Sequence, residues 1–161
     1  MIWWIPVPHY EKLASGKQIP DVIKNLTLDK LVKVVKDANA LYDQGQYEES
    51  IWWYDQAISL NPTNIGVLYN KANVMVKLGK YDDALELYDK VLGIEPKHVS
   101  ALYNKANLLV KIEKYLEAIS CYEKVVQIDP TNIPALYNKR IALEKVGKHY
   151  GIGLTTVKQL L

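Results

Sequence analysis

The hexapeptide LYNKAN occupies residues 68–73 and recurs letter for letter at residues 102–107, and LYNK returns at residues 136–139. The three copies begin 34 residues apart. Fixed self-similarity at this interval indicates a stack of equivalent supersecondary units. The repeated letters therefore decide the architecture, and their polar members raise a second question, namely what the stack displays to other molecules.

Each unit has the pattern of two helices. The stretch VLYNKANVMVKLG (67–79) places Leu68 and Ala72 on one face of a helix, and its final glycine is a stop signal. A second apolar pattern begins at Tyr81 and ends before Pro96, which cannot continue a helix. Neither helix can bury its apolar stripe alone, so each pair must pack against its neighbours.

Small, aromatic and proline positions recur at the same interval and resemble those of the tetratricopeptide repeat family. The recurring residues are Ala38, Ala72 and Ala106, then Tyr47, Tyr81 and Tyr115, then Tyr54, Tyr88 and Tyr122, and finally Pro62, Pro96 and Pro130. The resemblance covers roughly residues 31–147. It implies an all-α fold, a right-handed superhelical solenoid of antiparallel helix hairpins with about three and a half repeats.

The extent of the 34-residue period also predicts the domain boundaries of the chain. We predict an N-terminal extension rich in Trp and Pro, followed by one repeat domain with three full repeats and a degenerate fourth. The ranges are 1–26 for the extension, 27–161 for the domain, and about 31–64, 65–98, 99–132 and 133–161 for the repeats.

The turn between the two helices of a unit departs from the family pattern in the third repeat. A glycine is predicted there in the other units, and Glu113 takes its place in the third; the glycines are Gly45, Gly79 and Gly147. In the fourth unit Gly151 and Gly153 stand where the second helix should begin, which disfavours that helix.

Bulk properties exclude several classes of function. The net charge of +2 is too small to indicate a nucleic-acid-binding domain. The single cysteine, Cys121, forbids an intrachain disulfide and favours a reducing compartment. No apolar run reaches the roughly 18 residues that suggest a membrane span, and the N-terminus lacks the basic leader of a signal peptide. We therefore expect a cytoplasmic protein without membrane contact.

Catalytic and metal-binding constellations are not found in the sequence. His9, His98 and His149 are far apart in the chain and fall at unrelated repeat positions. They give neither a metal-ligand spacing nor a nucleophile–base grouping. We predict that the protein is not an enzyme and requires no cofactor and no metal.

Charge divides between the two helices of each unit. Second helices are mainly acidic, and first helices of units two to four are mainly basic; their cations are Lys71, Lys77, Lys105, Lys111, Lys139, Arg140 and Lys145. In a stack of this kind the first helices line the concave side. The sequence therefore predicts a positive groove and a negative outer surface, and such a cleft attracts ligands of opposite charge.

The polar letters of the repeat are predicted to line this groove. Asparagine amides suit the unpaired groups of an extended peptide backbone, tyrosine gives a flat contact with a polar tip, and lysine suits carboxylates. The predicted peptide-binding residues are Asn39, Tyr69, Asn70, Asn73, Lys77, Tyr103, Asn104, Asn107, Lys111, Tyr137, Asn138 and Lys145. A second interpretation is that the asparagines hydrogen-bond between adjacent first helices and the tyrosines fill an inner packing layer.

The resemblance also restricts the class of ligand that we expect. Chaperone-binding members of the family hold two carboxylates with a clamp of Lys, Asn and Arg side chains. Asn39 and Asn70 match that clamp, but Val35, Ser100 and Asn104 stand at its cationic positions. The expected partner is therefore a protein or peptide segment, extended or acidic, and not a chaperone tail.

Two alternative functions remain open at this stage. The IWW at residues 51–53 should leave Trp52 exposed unless the N-terminal extension or a second subunit covers it, so the extension could drive self-association into a homo-oligomer. Residues 148–161 are similar to a helix-turn-helix, which would make the protein a DNA-binding regulator. The degenerate repeat explains the same residues, so nucleic acid is not the expected partner.

Overall fold

The computed structural model describes residues 21–153 and 155–156, with side chains from Leu28 onward. Seven helices and no strand make up this part of the chain, and they pack as successive antiparallel hairpins. The all-α solenoid is confirmed. The helices are α1 (Asp21–Asp43), α2 (Tyr47–Leu60), α3 (Ile65–Lys77), α4 (Tyr81–Ile94), α5 (Val99–Lys111), α6 (Tyr115–Ile128) and α7 (Ile133–Tyr150).

The core is built from the same positions in each of the first three units. Leu68 and Leu102 of the hexapeptide are buried, and the alanine four residues after each of them is completely enclosed. A methyl group at that position lets neighbouring helices approach closely. One tyrosine of each second helix is also buried between the hairpins; these are Tyr54, Tyr88 and Tyr122. The L and A of LYNKAN are therefore the residues that make the hairpins stack.

Each later first helix begins with a side-chain cap. Asn64 Oδ1 accepts a hydrogen bond of 3.1 Å from the backbone N–H of Val67 at the start of α3. His98 Nδ1 and Asn132 Oδ1 do the same at the starts of α5 and α7. Such caps satisfy a backbone N–H that has no partner inside the helix, and they fix where each new unit starts.

The fourth turn lies later than the sequence predicts. Gly147 is buried inside α7, and the left-handed turn occurs at Gly151, with φ of 64°. The prediction that Gly147 is the turn residue is wrong. The cause lies in the residues that follow it. His149 stands where the other units have a tyrosine, and Ile152 stands where they have a small residue, Ser50, Ala84 or Ala118. Without that pattern the helix gains more by continuing for another turn.

Among the described residues, apolar side chains of α7 are exposed to water. Leu136 is 44% exposed, whereas Leu102, at the same position one unit earlier, is 2% exposed. The difference arises because the residues that the structure describes provide no second helix to cover α7. Residues 155–156 are helical, but most of the predicted helix-turn-helix after Gly153 lies outside the described residues, so that alternative stays a prediction.

The described N-terminal end of the chain is helical. Helix α1 begins at Asp21, within the segment assigned to the extension, while residues 1–20 lie outside the described residues. Trp52 is 57% exposed and meets Trp53 edge to face, with ring centroids 4.9 Å apart. Whether the extension covers this ring remains a prediction.

Glu113 offers a test of the turn geometry. Its φ of 63° lies in the left-handed region, where Gly45 and Gly79 have φ of 77° and 73° in the other turns. Replacing Glu113 with Gly is expected to raise the free energy of unfolding by about 0.5–1 kcal/mol, because relief of backbone strain exceeds the added entropy of the unfolded chain. Urea unfolding measures the change. Glu113→Ala, which keeps a Cβ, is the control and should give no gain; equal gains from both variants would contradict the strain explanation.

Candidate functional site

An asparagine ladder runs along the first helices. Asn73 Oδ1 accepts hydrogen bonds from the hydroxyl of Tyr88 at 2.6 Å and from the amide of Asn104 at 3.0 Å. The same pair of bonds recurs at Asn39, from Tyr54 and Asn70, and at Asn107, from Tyr122 and Asn138. Each of these three asparagines, with its two hydrogen bonds, links the second helix of its own unit to the first helix of the next unit. The ladder therefore couples the hairpins as well as lining the groove.

The tyrosine of the hexapeptide takes part in the same network. Tyr69 accepts a hydrogen bond of 2.8 Å from the Asn104 amide, and Tyr103 accepts one of 3.0 Å from Asn138. The Tyr69 ring also lies 6.2 Å from the ring of Tyr88. Tyr137, in the last unit, is exposed and has the Arg140 guanidinium over its ring.

The twelve predicted groove residues fall into two groups. Eight of them, six asparagines with Tyr69 and Tyr103, belong to the hydrogen-bond network; the other four, Tyr137 and three lysines, are exposed. The asparagines do bond between adjacent first helices, as the second interpretation held. They are still only half-buried, so they line the groove as well. Their contact with a ligand stays a prediction.

The lysine of the hexapeptide does not contribute free charge to the groove. Lys71 forms an ion pair of 2.5 Å with Asp55 of the preceding second helix. Lys105 pairs in the same way with Asp89, and Lys139 with Glu123. The prediction counted these three lysines among the groove charges, and in that respect it is wrong. Their partners are the acidic residues assigned to the outer surface, so the two charges neutralise each other between repeats.

Of the four remaining predicted cations, Arg140 pairs with Glu144 at 2.5 Å. The other three, Lys77, Lys111 and Lys145, form a lysine column. All three are exposed, and no carboxylate in the described part of the chain lies within ion-pairing distance of them. The Lys111 ammonium lies 4.9 Å from the ring centroid of Tyr81. The first unit has Asp43 at this position, so the column changes sign at its N-terminal end.

Three adjoining cavities follow the groove. An apolar one of about 580 Å³ lies against α1 and is lined by Leu28, Leu31, Val32 and Val35 among others. It shares Asn39 and Asp43 with a polar cavity of about 260 Å³. That cavity in turn shares Tyr42 and Asn73 with one of about 350 Å³, which contains Lys77 and Lys111. The shared linings make a continuous trough across three units.

Removing the hydrogen bond between Tyr88 and Asn73 should show how much the asparagine ladder stabilises the fold. Asn73→Ala leaves the hydroxyl of Tyr88, which is 1% exposed, without its acceptor. We expect the free energy of unfolding to fall by about 1–3 kcal/mol. Tyr88→Phe removes the donor instead, and the double variant should lose less than the sum of the two single changes. Urea unfolding of all four proteins completes this cycle, and strictly additive losses would contradict the hydrogen bond.

Burial of the ladder tyrosines should appear at alkaline pH. Desolvation raises the pKa of Tyr54 and of Tyr122 from 10.0 to about 12, and raises that of Tyr88 as well. Between pH 10.0 and about 12 the unfolded chain has lost these protons while the folded chain retains them. Stability must therefore fall as pH rises, by up to about 1.4 kcal/mol per pH unit for each tyrosine. Ultraviolet titration of phenolate should show a late-ionising group; one transition for all tyrosines near pH 10 would contradict this burial.

The described residues give no catalytic or metal-binding geometry. No group of three His, Cys, Asp or Glu side chains in this part of the chain is placed to hold a metal ion. Cys121 is a buried free thiol, and burial raises its pKa, which keeps it protonated and unreactive. Among the described helices, none is long and apolar enough to cross a bilayer. A cytoplasmic location stays a prediction.

The chain was compared with known proteins. The family model for the anaphase-promoting complex, cyclosome, subunit 3, matches residues 29–91 and 43–125, so the two matches span more than half of the chain. No curated protein matches it.

Solved structures share the fold. The first TPR of Spaghetti (RPAP3) bound to the HSP90 peptide SRMEEVD is 22% identical, with a TM-score of 0.70, over 74% of this chain and 94% of that one. The second TPR domain of human RPAP3, in complex with the HSP70 peptide SGPTIEEVD, is 20% identical, with a TM-score of 0.67, over 72% and 97%. MamA from Desulfovibrio magneticus RS-1 is 27% identical, with a TM-score of 0.71, over 74% and 68%. With its 34-residue period, stacked helix hairpins and matching family model, the chain belongs to the tetratricopeptide repeat family.

Proposed function

We propose that the protein is a non-enzymatic interaction scaffold and that its groove binds an extended, acidic segment of a partner protein. The observation that carries the proposal is the lysine column. The lysines of the hexapeptide are neutralised by acids of the preceding helix, whereas Lys77, Lys111 and Lys145 are exposed at 34-residue intervals. A row of uncompensated cations along a cleft attracts an extended anionic chain.

The rest of the groove complements this charge. Asn104 and Asn107 lie in the same cavity as Lys77 and Lys111, together with the ring of Tyr88. Amides can pair with the backbone groups of an extended ligand, and lysine can meet its carboxylates. We expect affinity of about 1 μM, or about 8 kcal/mol, because the groove must also order a flexible ligand.

Two of the similar structures support the class of ligand. The RPAP3 domains are bound to the peptides SRMEEVD and SGPTIEEVD, both of which carry two glutamates and an aspartate. In the present chain Val35 and Ser100 occupy cationic positions of the family's clamp, and Asn104 is engaged in the ladder. The acidic side chains would instead meet Lys77 and Lys111, one helical unit apart. A cytoplasmic location belongs to the same proposal, because a single cysteine cannot form an intrachain disulfide and so favours a reducing compartment.

Peptide titration tests the proposal. A fluorescein-labelled, end-capped peptide GSEESEEGS and its uncharged analogue GSQQSQQGS are added to the full chain, and fluorescence anisotropy is recorded. We expect saturable binding of the acidic peptide only. The binding should weaken between about 0.01 M and about 1 M salt, because the screening length falls from about 30 Å to about 3 Å. Equal affinity for both peptides, or binding unaffected by salt, would overturn the proposal.

A further inference from the structure

Two cavities of the groove are built from equivalent positions of consecutive units. The smaller one, of about 260 Å³, is lined by Asn39, Tyr42, Asp43, Tyr54, Asn70 and Asn73. For each of these six residues, the residue 34 positions later lines the cavity of about 350 Å³. The repeat has therefore formed the same site twice, side by side. A difference between the two cavities indicates a difference in what each one binds.

The main difference is a reversal of charge. Four of the six positions keep the same residue type in both cavities, all of them members of the hydrogen-bond network. Asp43 of the first cavity becomes Lys77 in the second, and Tyr42 becomes Val76. Asp43 is exposed, and no cation in the described part of the chain pairs with it. The two cavities thus present opposite charges, although four of their six equivalent lining residues are the same.

Helix stability does not explain why residue 43 is an aspartate. Asp43 is the last residue of α1, as Lys77 and Lys111 are the last residues of α3 and α5. The helix dipole favours a cation and disfavours an anion at this end. The lysines therefore agree with local stability and Asp43 opposes it, so a role in binding is the better explanation of the acidic residue.

The surroundings of Asp43 suit a cation. Its cavity is lined by Tyr42, which is partly exposed, and aromatic faces attract ammonium and guanidinium groups. A carboxylate beside such rings gives a charge-assisted acceptor for the same groups. The neighbouring cavity, with Lys77 and Lys111, suits carboxylates instead.

We infer that the ligand carries a cationic side chain as well as acidic ones, with the cation in the Asp43 cavity and the acids in the Lys77 cavity. This inference rests on the proposed function. Adjacent packed helices lie about 8–10 Å apart. An extended chain advances about 3.3 Å per residue, so the two kinds of charge should stand about three residues apart. The groove would then select for the order of charges as well as for net acidity.

Four capped, labelled peptides test this inference with the full chain. GSKSSEEGS and GSEESSKGS place lysine three residues from glutamate in the two possible chain directions, and their controls GSASSEEGS and GSEESSAGS lack the lysine. In at least one direction the lysine peptide should bind about two- to fivefold more tightly than its control, the range of an exposed ion pair. Asp43→Asn should abolish this preference and Asp43→Lys should reverse it. Asp29→Asn, which removes an exposed carboxylate elsewhere on α1, should leave it unchanged.

The possible failures are distinguishable. A lysine peptide that binds no better than its control, or a preference that survives Asp43→Asn, overturns the charge-order inference while acidic-peptide binding remains intact. If instead acidic peptides bind equally well without Lys77 and Lys111, the proposed function fails and the inference fails with it. Unfolding of the variants is not a concern for the test, because removing an anion from the end of α1 should slightly stabilise the helix.

Discussion

Leu102→Ala is expected to lower the free energy of unfolding by about 2–5 kcal/mol, the range for a leucine truncated inside a core. Leu102 is 2% exposed, and it belongs to the core between α5, α6 and α7. The same substitution at Leu136, one unit later, is expected to cost less than about 1 kcal/mol, since that side chain is 44% exposed and loses little burial.

These two variants are matched controls for each other, because they change the same letter of the same repeated motif. Urea unfolding followed by circular dichroism measures both losses. The contrast tests whether α7 ends the solenoid with an uncovered face. Equal losses at the two positions would show that something covers Leu136 in solution and would contradict that description.

Reversing two charges of the lysine column is expected to weaken acidic-peptide binding strongly. In Lys77→Glu/Lys111→Glu the two cations of one cavity become anions, so attraction is replaced by repulsion. Each lost ion contact should cost roughly 1 kcal/mol, and each new repulsion a similar amount. The affinity should therefore fall about tenfold to more than a hundredfold. Fluorescence anisotropy with the peptide GSEESEEGS measures the loss.

A matched control separates the groove from the overall charge. Lys90→Glu/Lys124→Glu makes the same change in net charge, but on the second helices α4 and α6. It should weaken binding only slightly, because neither lysine is among the residues that line the three cavities of the groove. A similar loss in both double variants would mean that net charge, and not the groove, governs binding.

The period of the sequence was sufficient to predict the hairpins, but not which face each side chain occupies. Lys71 follows Asn70 directly, yet one residue turns an α-helix by about 100°. Asn70 therefore lies in the ladder while Lys71 reaches Asp55 of the neighbouring helix. Counting charges by helix could not separate the two, and the predicted groove charge was too large for that reason.

The hydrogen-bond ladder has a signal in the sequence. In three units an asparagine is followed, 15 residues later, by a tyrosine whose hydroxyl it accepts. In the fourth unit Ile141 and Thr156 replace both members of the pair together. Joint presence and joint loss at a fixed interval indicate a contact, whereas the asparagines alone were compatible with either packing or ligand binding.

The turn of the fourth unit could not be predicted from glycine alone. Gly147 and Gly151 are both able to adopt a left-handed conformation, so the choice between them depends on whether the following residues can pack a second helix. His149 and Ile152 cannot reproduce the tyrosine and the small residue of the other units, and the turn moves to Gly151. Tertiary packing, and not the local residue, selects the end of α7.

The location of binding is tested most directly by a two-dimensional NMR spectrum of isotope-labelled protein during addition of the peptide GSEESEEGS. The side-chain amides of Asn73, Asn104 and Asn107 lie in the cavity with Lys77 and Lys111, and the indole of Trp52 is exposed on α2. Binding in the groove predicts shifts of the three amide signals with saturation at one common affinity, while the Trp52 indole signal stays in place. Shifts of the Trp52 indole with unchanged asparagine signals would contradict the groove as the binding site.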